Sequence, residues 1–170
     1  MTIDNIDISL RISIKEVQHL SSLCDTPEYL HLLTDALASP DKRTSNNAAW
    51  IITHISDLAL SYLLPMKERL IDMTLSATSP TLCRLLLDTL LRMPFDAEDI
   101  RTDFLNFCLN GITDTHLKPG TRSLCMKLAY RQCVHYPELL GELRSIHSMM
   151  QYDLLEPAMK SVHRNIGKRL

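Results

Sequence analysis

Glycine and phenylalanine are scarce in this chain, at 4 and 3 of 170 residues, and tryptophan occurs once. Few glycines leave little material for hairpin turns, and few aromatics leave little for half-buried strands. With leucine, methionine and alanine abundant, the balance favours helices. No run approaches the roughly 20 apolar residues that cross a bilayer. The opening MTIDNIDISL carries acidic rather than basic residues ahead of its apolar positions, so no targeting segment and no membrane partner are expected. CxxC spacing is missing too. Cys24, Cys83, Cys108, Cys125 and Cys133 form an odd, dispersed set, which argues against a disulfide framework or a zinc knuckle and points to reduced thiols in a cytoplasm.

What is present is a globular composition, 45% hydrophobic and 22% charged, far from that of a disordered chain. A single domain of this length can bury roughly 70% of the surface its unfolded chain exposes. The formal charge of -2 hides an asymmetry: residues 1 to 114 hold 9 Lys/Arg against 16 Asp/Glu, and residues 115 to 170 hold 9 against 4. Such a dipolar chain could steer a partner or stack head to tail, so self-association stays open.

The prolines supply a register. Pro40, Pro80, Pro119 and Pro157 are 40, 39 and 38 residues apart, and each suits the start of a helix, where a fixed φ and a missing N–H are tolerated. After the first three come the helix-like runs DKRTSNNAAWIITHISDLALSYL, TLCRLLLDTLLRM and GTRSLCMKLAYRQCVHY. A second series, Pro27, Pro65 and Pro137, opens PEYLHLLTDALA, PMKERLIDMTLSA and PELLGELRSIHSMM, and AEDIRTDFLNFCLNGI takes that place after Pro94. Apolar residues recur at three and four, as in Met66, Leu70, Met73, Ala77 and in Leu139, Leu143, Ile146, Met150. The expectation is an all-α chain of four helix pairs, at about 9–38, 40–77, 80–111 and 119–150, with a capping helix at 157–168. One pair cannot bury its own apolar stripe, so neighbours stack into a solenoid.

Pro40, Asp41, Arg43, Ala48 and Ala49, echoed by Pro80 with Arg84 and by Pro119 with Arg122, give this chain a pattern that resembles HEAT or armadillo-type repeats. TRSLCMKLAYRQCVHYPELLGELRSI is similar to the last repeat of small bacterial HEAT-like proteins of unassigned role. The resemblance implies a right-handed α–α superhelix whose second helices line a concave face that holds a protein partner, and it implies no cofactor.

Residues that might carry chemistry do not assemble along the sequence. Cys125, Ala129 and Cys133 fall on one helix face as core packing, and His135 sits on another. The histidines 19, 31, 54, 116, 135, 147 and 163 never pair at ligand spacing on one helix, and no nucleophile-elbow, phosphate-loop or dinucleotide pattern accompanies them. Asp96, Glu98 and Asp99 suit a helix N-terminus, where negative charge is favoured. Trp50, among Ala48, Ala49, Ile51 and Ile52, reads as core or core edge, with partner contact as the alternative.

Opposite the apolar stripes, the second helices offer Glu68, Asp72, Asp99, Asp103 and Glu142, an acidic rim suited to a basic segment of a protein partner. The chain is thus expected to be a non-enzymatic interaction scaffold. The alternative is a nucleic-acid-binding repeat protein, since one branch of HEAT-like folds resembles alkylated-base DNA glycosylases with a basic groove. That function needs a cationic stripe on the second helices, whereas positive charge gathers at Lys160, Arg164, Lys168 and Arg169 in the last helix.

Overall fold

In the computed structural model, all of residues 1–170 are described except the side chain of Asp99. The chain opens on a feature too small for its sequence to announce: β1 (Thr2–Ile3) and β2 (Ile6–Asp7) pair antiparallel, Thr2 opposite Asp7 and Ile3 opposite Ile6. Asp4 and Asn5 close the hairpin with φ of 46° and 63°, the left-handed region that Asp and Asn tolerate better than other side chains. Helices and the connections between them make up the rest of the described residues.

Ten α-helices follow: α1 (Ile14–Leu23), α2 (Pro27–Leu37), α3 (Lys42–Ile52), α4 (Asp57–Leu63), α5 (Lys67–Leu75), α6 (Pro80–Arg92), α7 (Thr102–Thr113), α8 (Pro119–Cys133), α9 (Pro137–Met149) and α10 (Pro157–Gly167). Short 3-10 turns lie at Leu64–Met66, Ala97–Asp99 and Tyr152–Leu154. Most helix starts are set by one of two devices, α5 and α7 being the exceptions. Pro27, Pro80, Pro119, Pro137 and Pro157 each stand in the first turn of their helix. Ser13, Asp41, Ser56 and Ser79 cap theirs through side-chain acceptors, and Ser13 with Glu16 completes a reciprocal capping box.

Two expected boundaries move. The long run after Pro40 is two helices, because Thr53 closes α3, its Oγ1 donating to the Trp50 carbonyl, and Ser56 then starts α4 by accepting from the Ala59 N–H. The helix expected from Ala97 begins at Thr102, after the 3-10 turn.

The chain divides into two compact units, residues 1–93 and 94–170. In the first, α3 packs against α1, α2 and α6, and α6 packs against α5. Leu20, Leu33, Ile51, Leu63, Leu70 and Leu86 fill its core. In the second, α8 lies against α7, α9 and α10. A helix enclosed on three sides must be apolar, or satisfied, around most of its girth. Accordingly Cys125, Leu128, Ala129 and Cys133 are buried, and so are Thr121, Arg122, Ser123 and Gln132. Phe104 is stacked between Phe95 and Phe107 at centroid distances of 6.1 and 6.4 Å.

The repeat period reappears in the hydrogen bonds. Side chains reach back about one repeat to bond backbone carbonyls in a preceding turn or helix end. Asn47 Nδ2 donates to Ile8 and Leu10 at separations of 39 and 37 residues. Arg92 donates to Thr53 and Ile55, at 39 and 37. His135 Nε2 lies 2.7 Å from the Phe95 carbonyl at 40, and the Tyr136 hydroxyl reaches Ala97 at 39. Carbonyls left over at helix ends and turns need donors, and here the next repeat supplies them.

Candidate functional site

Within residues 1–93, Glu68 and Asp72 stand one turn apart on α5 and are exposed, while Leu70, Ile71 and Thr74 of the same helix are buried. The face assigned to them from periodicity is the one they occupy. Within residues 94–170, Asp103 is exposed in the first turn of α7, but its carboxylate is engaged: Arg101 donates from Nε at 3.1 Å and from Nη2 at 2.6 Å. This hydrogen bonding holds the Asp103 carboxyl below the usual aspartate range. Glu142 is exposed on α9. The Asp99 side chain lies outside the described residues.

The basic residues of the last helix are partly drawn onto tyrosines. Lys160 Nζ sits 5.8 Å from the centroid of the Tyr152 ring, and Arg164 Nη2 donates to the Tyr152 hydroxyl at 2.7 Å. The Arg169 guanidinium lies 6.0 Å from the Tyr130 ring, and Lys168 is exposed. Stacking on aromatic faces is a local packing role for these cations.

Trp50 is half-buried at the edge of its core, with the His54 ring edge-on at 6.3 Å. All five cysteines are buried. Desolvation first, and the neighbouring carboxylates of Asp25 and Glu142 second, push the Cys24 thiol up to about 12 and the Cys133 thiol up to about 11. A thiol so far from ionisation is a poor nucleophile and metal ligand. Among the described residues, no three His, Cys, Asp or Glu side chains gather as a metal set.

One cluster is formed between two helices. His147 of α9 and His163 of α10 stack at 3.6 Å between centroids, with an interplanar angle of 17°. Each ring's Nε2 faces the other residue's backbone carbonyl, at 2.9 and 3.2 Å. The Tyr152 ring tilts against His163 at 5.5 Å, and a Cβ on Gly167 would come within 2.8 Å of His147 Nε2. The legible signal was symmetry about a turn: both histidines are eight residues from Leu155, and an antiparallel helix pair brings such positions together.

Burial lowers the pKa of His163, outweighing the hydrogen bond to the His147 backbone carbonyl that favours its charged form, with a smaller lowering from the charge of His147. The unfolded chain therefore takes up this proton first. Its contribution to stability is complete above the ordinary histidine value near 6.5 and is lost as pH falls from there toward the lower folded value. Thermal melts at pH 7.5 and pH 5 should show a drop in Tm that is smaller in His163→Gln; an identical drop in both proteins would remove His163 as its source.

Helix pairs repeating at about forty residues and stitched carbonyl by carbonyl define a helical-repeat protein. The HEAT repeat domain family matches residues 6–170, and the chain belongs to that family. No curated protein and no solved structure matches it. HEAT repeats generally mediate protein–protein contacts, and the family is typically one of non-enzymatic scaffolds. Among the described residues, no helix is long and apolar enough to cross a membrane.

Proposed function

We propose that this chain is a non-enzymatic scaffold that captures a basic segment of a protein partner on the exposed faces of its second helices. The observation that carries this reading is α5, where Glu68 and Asp72 project from one exposed face one turn apart while the opposite face is anchored in the core. Paired carboxylates at that spacing match the spacing of Lys and Arg in a basic segment and favour its encounter. Within residues 94–170, Glu142 on α9 offers the same chemistry. Asp99 belongs to the set by its place in the sequence. Asp103 is held by Arg101.

The test is binding of a fluorescent Lys/Arg-rich peptide, followed by anisotropy at low and high salt. Combining Glu68→Gln, Asp72→Asn and Glu142→Gln should leave helicity unchanged and weaken binding about tenfold, with each exposed charge contributing about 0.5 kcal/mol. Asp103→Asn alone should change it little. Unchanged binding in the triple variant would refute the placement. Tighter, salt-sensitive binding to duplex DNA would instead favour a nucleic-acid partner at the basic last helix.

A further inference from the structure

Residues 94–170 hold a groove of about 300 Å³ whose lining includes Met149 and Met150 at the end of α9, Leu154 and Leu155 in the connection to α10, and Arg122 of α8. Two observations set it apart from ordinary surface. Met149 and Leu154 are 73% and 77% exposed, the highest values among the exposed large apolar side chains of this chain, and both border this groove. Arg122, by contrast, is only 7% exposed yet lines the same space.

A guanidinium carries five N–H donors. Among the described residues Arg122 uses two: Nε donates to the Ile112 carbonyl at 3.0 Å, and Nη1 reaches Glu156 Oε2 at 3.4 Å, a long contact to a carboxylate that is itself 46% exposed. Among the described residues no hydrogen bond engages Nη2, and since the buried side-chain atom left without a partner is Gln132 Oε1, the Nη2 donors are open to solvent. Burying a cation is costly unless it is paired and hydrogen-bonded, and the Glu156 contact is weaker than the shorter distances of a well-formed guanidinium–carboxylate pair. A largely buried guanidinium whose Nη2 stays accessible, beside flexible thioethers and leucines, suits one kind of molecule: a carboxylate head on an aliphatic tail.

The volume limits the size. At the lower end of the range for small-molecule pockets, and at roughly 30 Å³ for a water-sized group, it admits about ten non-hydrogen atoms. We infer that this groove binds a medium-chain aliphatic monocarboxylate, the carboxylate on Arg122 and the chain between Met149 and Leu154. Methionine walls suit such a tail because they adapt to its conformers. This site is separate from the acidic faces of the second helices and does not depend on them.

Octanoate, which has the expected number of heavy atoms, is the probe, and methionine methyl NMR of the full chain is the readout. Saturable shifts of the Met149 and Met150 methyls are expected, with a dissociation constant on the order of 1 mM. Acetate, which lacks the tail, and 1-octanol, which lacks the charge, should not saturate. Arg122→Gln should weaken octanoate at least about tenfold. Because Arg122 also supports the fold, Leu154→Asp provides the independent arm: the residue is exposed, so helicity should persist while binding is lost. Octanoate shifts that never saturate, octanol binding as well as octanoate, or a folded Leu154→Asp protein that retains full affinity would each overturn the assignment.

Discussion

Phe104→Ala should lower the stability of residues 94–170 by about 3–5 kcal/mol, the cost of truncating a fully buried aromatic side chain. Phe104 is 0% exposed and leads the fully buried side chains in volume. Its ring is nearly parallel to those of both Phe95 and Phe107, at 13° and 7°. With only 3 phenylalanines in the chain, the whole set meets at this point. Alanine removes the central ring and leaves the outer two facing a cavity, while Phe104→Leu retains most of the volume and should lose less. Urea unfolding followed by far-UV circular dichroism measures both. A loss below about 1 kcal/mol for the alanine would mean that the neighbours collapse into the space.

Gly111→Ala should also destabilise the protein, by about 1–3 kcal/mol, although alanine is favoured over glycine inside a helix by about 1 kcal/mol. The sign is decided by space. A Cβ at Gly111 would sit 2.7 Å from Cys125 Sγ and 3.3 Å from its Cβ, and both residues are buried where α7 packs on α8. The clash with sulfur can be separated from every other effect by adding Cys125→Ala. In that background the glycine substitution should cost much less or become stabilising, giving a coupling of about 1 kcal/mol or more in a double-mutant cycle. Additive effects would mean that the helices simply move apart.

The repeat was legible because it is written twice. Proline spacing sets the register, and the apolar three-and-four pattern sets which face of each helix turns inward, so Leu70, Leu143 and Cys125 are found where they were expected. The break between α3 and α4 was not legible, since apolar residues continue through Ile51, Ile52, Ile55 and Leu58 and mask the cap at Ser56. The hairpin at residues 2–7 is too short to show alternation. At the candidate site, the exposure of Glu68, Asp72 and Glu142 followed from periodicity. The Arg101–Asp103 pair did not, because residues two apart look independent in a helical pattern and here lie across a helix start. His147 and His163 were hidden for a related reason: their proximity belongs to the packing of two helices. Arg122 matched a repeat consensus, and nothing in the pattern distinguishes a buried arginine with spare donors from one fully satisfied.

The carbonyl stitches at 37 to 40 residues bear on how the chain reaches this structure. None of these bonds needs its ends brought together from farther away than one repeat. The loop entropy to be overcome before they form is therefore nearly the same at every stitch. Repeat arrays stitched in this way can begin folding at more than one place. Folding should thus be only weakly sensitive to which repeat forms first.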